Sequence, residues 1–448
     1  QWTFVARDGI TFHDGTPFDA DAMMDHFERM RASTLVGNAI QAITDVQKVD
    51  DMTIQISMDT PWVDFPIYFA AQPGYVASPT WLAAVDAQTA DATEPVGTGP
   101  FVFAEYNPGD NFRMTKNEDY WLEAPDGEPY PYLDEIEFLV QEEDATRSRA
   151  LQSGEVDITH TDRGPDIEDL RQAADAGTLE VYEMDTRQGV TYALINVAAD
   201  SPLQDVEVRR AFAMAVDQEF RNESRSAGVF DIANGPFSPG TMGYLEDTGY
   251  PAYDPEGAAA IVEEYEAANG PIEFSYRTTA DPDNALTVEL ISQNLADIGI
   301  DVTIDQTEQG EFIQQAVLGN FEVFTWRGGG AIDPETERVW WHSEDADPIG
   351  EIALNFGRFQ DDVIDENLQV LRESQDEAER TTAAENINRR FGEQVYNVWA
   401  DWIFWIMAYQ NDVHGVQTPL VLPDGSPGLV QGVGSNGAIS LPQIWKGE

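Results

Sequence analysis

The sequence predicts an α/β chain of more than one domain. Three observations lead there. Residues 272–326 alternate strand-like and helix-like patterns. A Gly/Pro-rich stretch at 235–253 separates this regular part from a less regular one. At 448 residues, with 42% hydrophobic and 11% aromatic content, the chain can bury the cores of two or three domains.

Trp2, Phe4 and Val5 read as a strand, and Arg7-Asp8-Gly9 as a turn. The chain opens inside that strand pattern without a Met, so an N-terminal piece is expected to be missing. Asp19 is placed to cap a helix whose apolar positions, Ala20, Met23, Met24, Phe27 and Met30, recur at helical spacing. His13 lies in His13-Asp14-Gly15-Thr16-Pro17, where ordering a turn is the expected role. Val46, Val49, Ile54, Ile56 and Met58 predict a hairpin around Asp50-Asp51. Gly97-Thr98-Gly99-Pro100 resembles a phosphate loop but lacks its Lys and following helix, so a turn feeding the strand Phe101-Val102-Phe103 is expected. Val190 to Val197 reads as a strand, and Asp205 opens a helix with Val206, Val208, Ala211, Phe212, Ala215 and Val216 as apolar positions, ending near Phe220.

Beyond the Gly/Pro stretch, Asp254-Pro255-Glu256 is a cap with Pro at the first helical position. Helix to Ala268, strand Ile272–Tyr276, helix Asn284–Ile298 with Leu286, Leu290, Ile291 and Leu295 inward, strand Asp301–Ile304, helix Glu311–Leu318 and strand Phe321–Trp326 follow in turn. That spacing implies parallel pairing with right-handed crossovers. Helices are expected at about 361–373 and 377–395, followed by the aromatic concentration Trp399, Trp402, Phe404, Trp405 and Tyr409.

Charge is the outlying property. Asp and Glu number 82 against 24 Lys and Arg, a net charge of −58, spread along the whole chain. This predicts a solvated acidic surface suited to a saline habitat, where salt at 1 M shortens electrostatic range to about 3 Å. Nucleic acid is excluded as a partner, because phosphate recognition needs clustered cations. There are no cysteines, so disulfides and thiolate chemistry are excluded. No apolar run reaches the roughly 18 residues of a membrane span. His13, His26, His160, His342 and His414 show no metal-ligand spacing, and no metal or cofactor is expected. Nucleophile-elbow, kinase and dinucleotide motifs are absent, and carboxylates are too common for any pair to stand out as acid and base.

The candidate site is the stretch Phe321 to Pro334. A buried-strand pattern ends at Trp326-Arg327 and dissolves into Gly328-Gly329-Gly330. Ligands in open α/β sheets sit beyond the carboxyl ends of strands. Glycines there allow close backbone approach, and Trp326 beside Arg327 offers a flat apolar face next to a fixed cation. Tyr192 and Asn196 on the earlier strand, Arg358, and Trp402 and Trp405 are further candidate contacts.

Several phrases, in order, resemble the extracellular solute-binding proteins of family 5, the peptide, nickel and sugar receptors of ATP-driven importers. They are Arg7 to Phe18 (Arg-Asp-Gly-Ile-Thr-Phe-His-Asp-Gly-Thr-Pro-Phe), Pro95 to Phe101, Asn117-Glu118-Asp119-Tyr120-Trp121, Ser153 to Ile158, and Asp205 to Asp217. The resemblance implies a two-lobed, periplasmic-binding-protein-like fold of type II, cluster C-like. Lobe I would comprise 1–245 and 410–448, with a subdomain at about 20–165, and an inserted lobe II would cover 246–409. It implies a monomeric, non-enzymatic receptor, periplasmic or extracellular and anchored through the missing N-terminal piece. Such a receptor closes on a small organic solute (peptide-like, opine-like or sugar-like) and delivers it to a membrane permease. Peptide-binding members place an Asp at the third residue after the lobe II Trp, where it pairs with the peptide amine. Here that residue is Gly329, and Asp333-Pro334 are shifted by one position. A ligand bearing a carboxylate or several hydroxyls is therefore expected, held by Arg327 or Arg358 and stacked on Trp326, rather than an ordinary free-amine peptide. The alternatives are a secreted glycan hydrolase using two carboxylates and a ligand sensor of the same fold.

Overall fold

The computed structural model describes residues 1–447 except 34–35, 71, 142, 329–332, 419, 423–424 and 427–437. The chain divides into two compact units. Gln1–Thr161, Asp169–Met184 and Ile406–Glu448 form the first, and Asp162–Glu168 with Asp185–Trp405 form the second. The second is thus inserted in the first along the chain.

The first unit begins with β1 (Trp2–Val5), β2 (Ile43–Asp50) and β3 (Thr53–Met58), an antiparallel sheet in the order β1-β3-β2. The predicted hairpin is β2–β3. Helix Ala20–Ala32 lays Ala20, Met23, Phe27 and Met30 against Ile54, Ile56, Trp62 and Phe65 in one core. Its start is fixed by Asp19, whose Oδ1 accepts from the amides of Asp21 and Ala22, both at 3.0 Å. The His13 turn is also as expected. His13 Nε2 lies 3.0 Å from the Gly99 carbonyl, and Asp14 accepts from the Thr16 amide at 2.9 Å and the Ser78 hydroxyl at 2.6 Å. A meander of β4 (Phe101–Asn107), β5 (Asn111–Lys116) and β6 (Glu135–Leu139) follows. Then β7 (Ile158–Thr161) pairs with Ile406 to Tyr409 of the strand Asn397–Tyr409.

The second unit is built on β8 (Glu180–Ile195), β9 (Asp231–Ile232), β10 (Glu273–Thr279), β11 (Asp301–Thr307), β12 (Val323–Gly328) and β13 (Asn397–Tyr409). β8 and β13 each begin or end in the first unit. The strand order is β11-β10-β12-β8-β13, with β9 beside β13. β10 runs parallel to both β11 and β12, as the alternation of patterns predicts, while β12 meets β8 antiparallel. Helices Pro255–Asn269 and Pro282–Asp297 start at Asp254 and Asp281, which cap them by accepting first-turn amide hydrogens. One core joins Val208, Ala211 and Phe212 to Val262, Phe274, Tyr276, Val288, Ile291 and Leu295.

Two expectations change. Leu286 is 48% exposed, and Val288 takes the inward place on that helix with Ile291 and Leu295. The Gly/Pro stretch read as an inter-lobe boundary lies within the second compact unit, whose limits along the chain are 161/162, 168/169, 184/185 and 405/406. The reason is packing. The Gly235 carbonyl accepts from Trp402 Nε1 at 3.0 Å and the Gly243 carbonyl from Asn388 Nδ2 at 2.8 Å. A Cβ on Gly243 would stand 2.7 Å from that of Ala384. Glycine serves close approach there, not linkage.

Candidate functional site

The second unit contains a cavity of about 240 Å³. β12 and β8 form one wall. Their register sets Trp326 opposite Tyr192 and Gly328 opposite Val190, so these residues share a sheet face. Trp326 is held flat by Phe312 (centroids 5.6 Å apart, planes 15°) and edge-on by Phe356 (5.1 Å, 76°). β13 adds Asn397 and Trp399, and Trp399 meets Tyr192 at 5.0 Å. Glu337, Trp340 and Trp341 come from the short helical turns at Pro334–Glu337 and Arg338–Trp341. Phe237, Phe356 and Phe359 complete a largely aromatic lining.

Polar groups on this wall are few. Arg327 is ion-paired with Asp162 and stands 5.2 Å over the Trp405 ring. Asn397 Oδ1 and Trp399 Nε1 are buried without a hydrogen-bond partner among the described residues. Burial pushes the Glu337 carboxyl up to about 7. Burial, with the Glu337 charge second, raises the Tyr192 phenol.

Of the residues singled out in the sequence, Tyr192, Trp326, Arg327 and Gly328 line the cavity. Gly329 lies outside the described residues. The rest are placed differently. Arg358, expected to hold a carboxylate, is buried and donates to the carbonyls of Asp347, Ala316, Phe356, Val317 and Glu351 at 2.9–3.4 Å. Asn196 donates to the Gly319 and Phe321 carbonyls at 2.9 and 3.1 Å and is a buried loop brace. Trp402 is 4% exposed and packs in the core with Tyr244 at 5.7 Å. Trp405 lies under Arg327 rather than on the wall. Asp333 caps the turn Pro334–Glu337 by accepting from the Glu335 amide at 2.9 Å and is ion-paired with Arg380. Glu337, Trp340, Trp341, Asn397 and Trp399 were not singled out as ligand contacts. The one available signal was the spacing of Glu337 and Trp340-Trp341 after Asp333-Pro334.

Among the described lining residues Glu337 is the one carboxylate. No group of metal-ligating side chains and no helix long and apolar enough to cross a membrane occurs among the described residues.

Residues 1–348 match the family described as bacterial extracellular solute-binding proteins, family 5 Middle. The chain is 27% identical over 422 residues to di/tripeptide-binding protein 2 of Pseudomonas aeruginosa, covering 88% of this chain and 76% of that one. A DppA periplasmic binding protein from Helicobacter pylori, solved with the peptide STSA, superposes with a TM-score of 0.81 at 22% identity, over 92% of this chain and 83% of that one. AgaA of A. tumefacien R10, solved with agropinic acid, gives 0.80 at 24% identity, over 92% and 82%. The fold is that of the two-lobed periplasmic binding proteins.

Proposed function

We propose that this chain, which belongs to the bacterial extracellular solute-binding proteins of family 5, is the receptor of an ATP-driven importer and takes a small organic solute into the cavity of its second unit. The observation that carries this reading is the cavity itself. It has aromatic walls and a few polar groups without partners among the described residues, the usual composition of a small-molecule site. Relatives named as di/tripeptide-binding proteins, and a neighbour solved with agropinic acid, support a peptide-like or opine-like solute.

In this reading Trp326 supplies the apolar floor and Arg327 a cation at the solvent side, where its side chain is 41% exposed. Closure of the two units, passage of the solute to a membrane permease, an extracytoplasmic location and a monomeric state belong to the same proposal. Thermal-shift screening against dipeptides, opine-type acids, sugars and nickel tests it, because a ligand bound only by the native state raises Tm. A positive solute is then titrated against Trp326→Ala and Arg327→Ala. Affinity within a factor of two of wild type in both would remove the cavity from the proposal.

A further inference from the structure

One carboxylate on the cavity wall has no partner among the described residues. Asp333, Glu335 and Glu337 follow one another along a single turn. Asp333 is paired with Arg380, and Glu335 with Arg372 at 2.7 Å. Glu337 has neither a hydrogen bond nor an ion pair among the described residues, and burial alone displaces its titration. Arg338, next in the chain, has Arg372, Glu335, Glu344 and Asp345 as its charged neighbours. Arg327, the other charged residue of the wall, is already engaged by Asp162.

The surroundings of Glu337 suit one kind of visitor. A half-buried carboxylate that faces an aromatic cavity without a partner is poorly solvated, and a cation that brings its own N–H donors answers it. Tyr192, Trp326, Trp340, Trp341 and Trp399 share the wall, and aromatic faces attract cations. Asn397, 4% exposed, adds an acceptor in need of a donor at Oδ1. Resting on the reading of this cavity as the solute site, we infer that Glu337 binds a protonated amine of the solute, so that the receptor selects ammonium-bearing ligands. This inference departs from the sequence-based expectation against a free amine. A neutral sugar or a purely anionic acid would leave Glu337 unanswered. Trp399 Nε1, a donor without an acceptor, suits a carbonyl or carboxylate elsewhere on the same molecule.

The test uses the full chain, intrinsic tryptophan fluorescence and calorimetry. One panel holds free-amine dipeptides. The second holds the same dipeptides N-acetylated, together with a disaccharide and a dicarboxylate. Free-amine members are expected to bind, with acetylation weakening them about tenfold or more, the scale of a lost charge-assisted hydrogen bond. Glu337→Gln is expected to erase the difference between the panels, and Glu337→Asp to retain part of it. Both variants are first checked for an intact melting transition. Equal or tighter binding of the amine-free panel, or a folded Glu337→Gln protein that keeps its preference for free amines, overturns the inference and leaves the receptor reading standing. If neither panel binds, the receptor reading for this cavity fails as well.

Discussion

Trp326 and Tyr192 sit opposite each other on β12 and β8, register partners on the same face of the sheet. Each is fixed from behind, Trp326 by Phe312 at 5.6 Å and Tyr192 by Trp399 at 5.0 Å. Neither ring can turn away without losing its own packing, so the floor of the cavity is rigid before any ligand arrives. Trp326→Ala should therefore weaken solute binding by about tenfold or more, through lost aromatic contact. Isothermal titration with a solute found by thermal shift checks this, and Trp326→Phe should recover most of the loss.

Glu337 gives a pH dependence with a definite sign. Its ordinary value is 4.5, and burial pushes it up to about 7. Between those values the unfolded chain has released the proton while the folded protein still holds it. Raising pH through this window then favours unfolding: the contribution is fully present below about 4.5 and gone above about 7. Its size is on the order of 2 kcal/mol, after allowing for partial exposure of the side chain. Urea melts of wild type and Glu337→Gln from acid to neutral pH should differ by a slope that flattens in the variant, with the variant the more stable at neutral pH. Parallel curves would count against a carboxylate held in this environment.

Arg358 predicts the opposite partition between stability and binding. It is 4% exposed, holds φ at +50°, and donates to five carbonyls. Removing it leaves those carbonyls short of donors, so Arg358→Ala should cost about 3 kcal/mol or more. Where the variant still folds, its solute affinity should stay within about twofold of wild type, since the side chain is off the wall. Chemical denaturation and titration on one sample separate the two effects.

The net charge of −58 implies strong self-repulsion at low ionic strength. Tm should climb as sodium chloride is raised from about 0.1 M towards molar concentrations, where the screening length falls from about 10 Å to about 3 Å. A flat Tm over that range would argue against a surface adapted to salt.

How much of this was legible in the sequence depends on whether a residue's role was local. The parallel strands β10, β11 and β12 announced themselves by period, and Asp19, Asp205 and Asp254 by cap chemistry. Trp326 and Arg327 stood out because a strand pattern ended beside glycines. Arg358 and Asn196 looked equally suited to a ligand. Two of the five carbonyls that Arg358 reaches lie more than 40 residues away in the chain, and both that Asn196 Nδ2 reaches lie more than 100 away, which no pattern encodes. β13 was seen only as an aromatic concentration. It is buried along nearly its whole length and so lacks the alternation that marks a half-exposed strand. Glu337 was one acid among 82, marked in the sequence by nothing but its spacing after Asp333-Pro334.

Arg358 also bears on ligand choice, though it touches none. Its guanidinium ties the end of helix Gln309–Leu318, through Ala316 and Val317, to Phe356, which is part of the cavity wall. A contour fastened this way cannot mould itself around an ill-fitting guest, and little disorder has to be frozen out when a fitting one enters. Discrimination by size should accordingly be sharp at Phe356, and lengthening a solute towards that ring should abolish binding abruptly rather than by degrees.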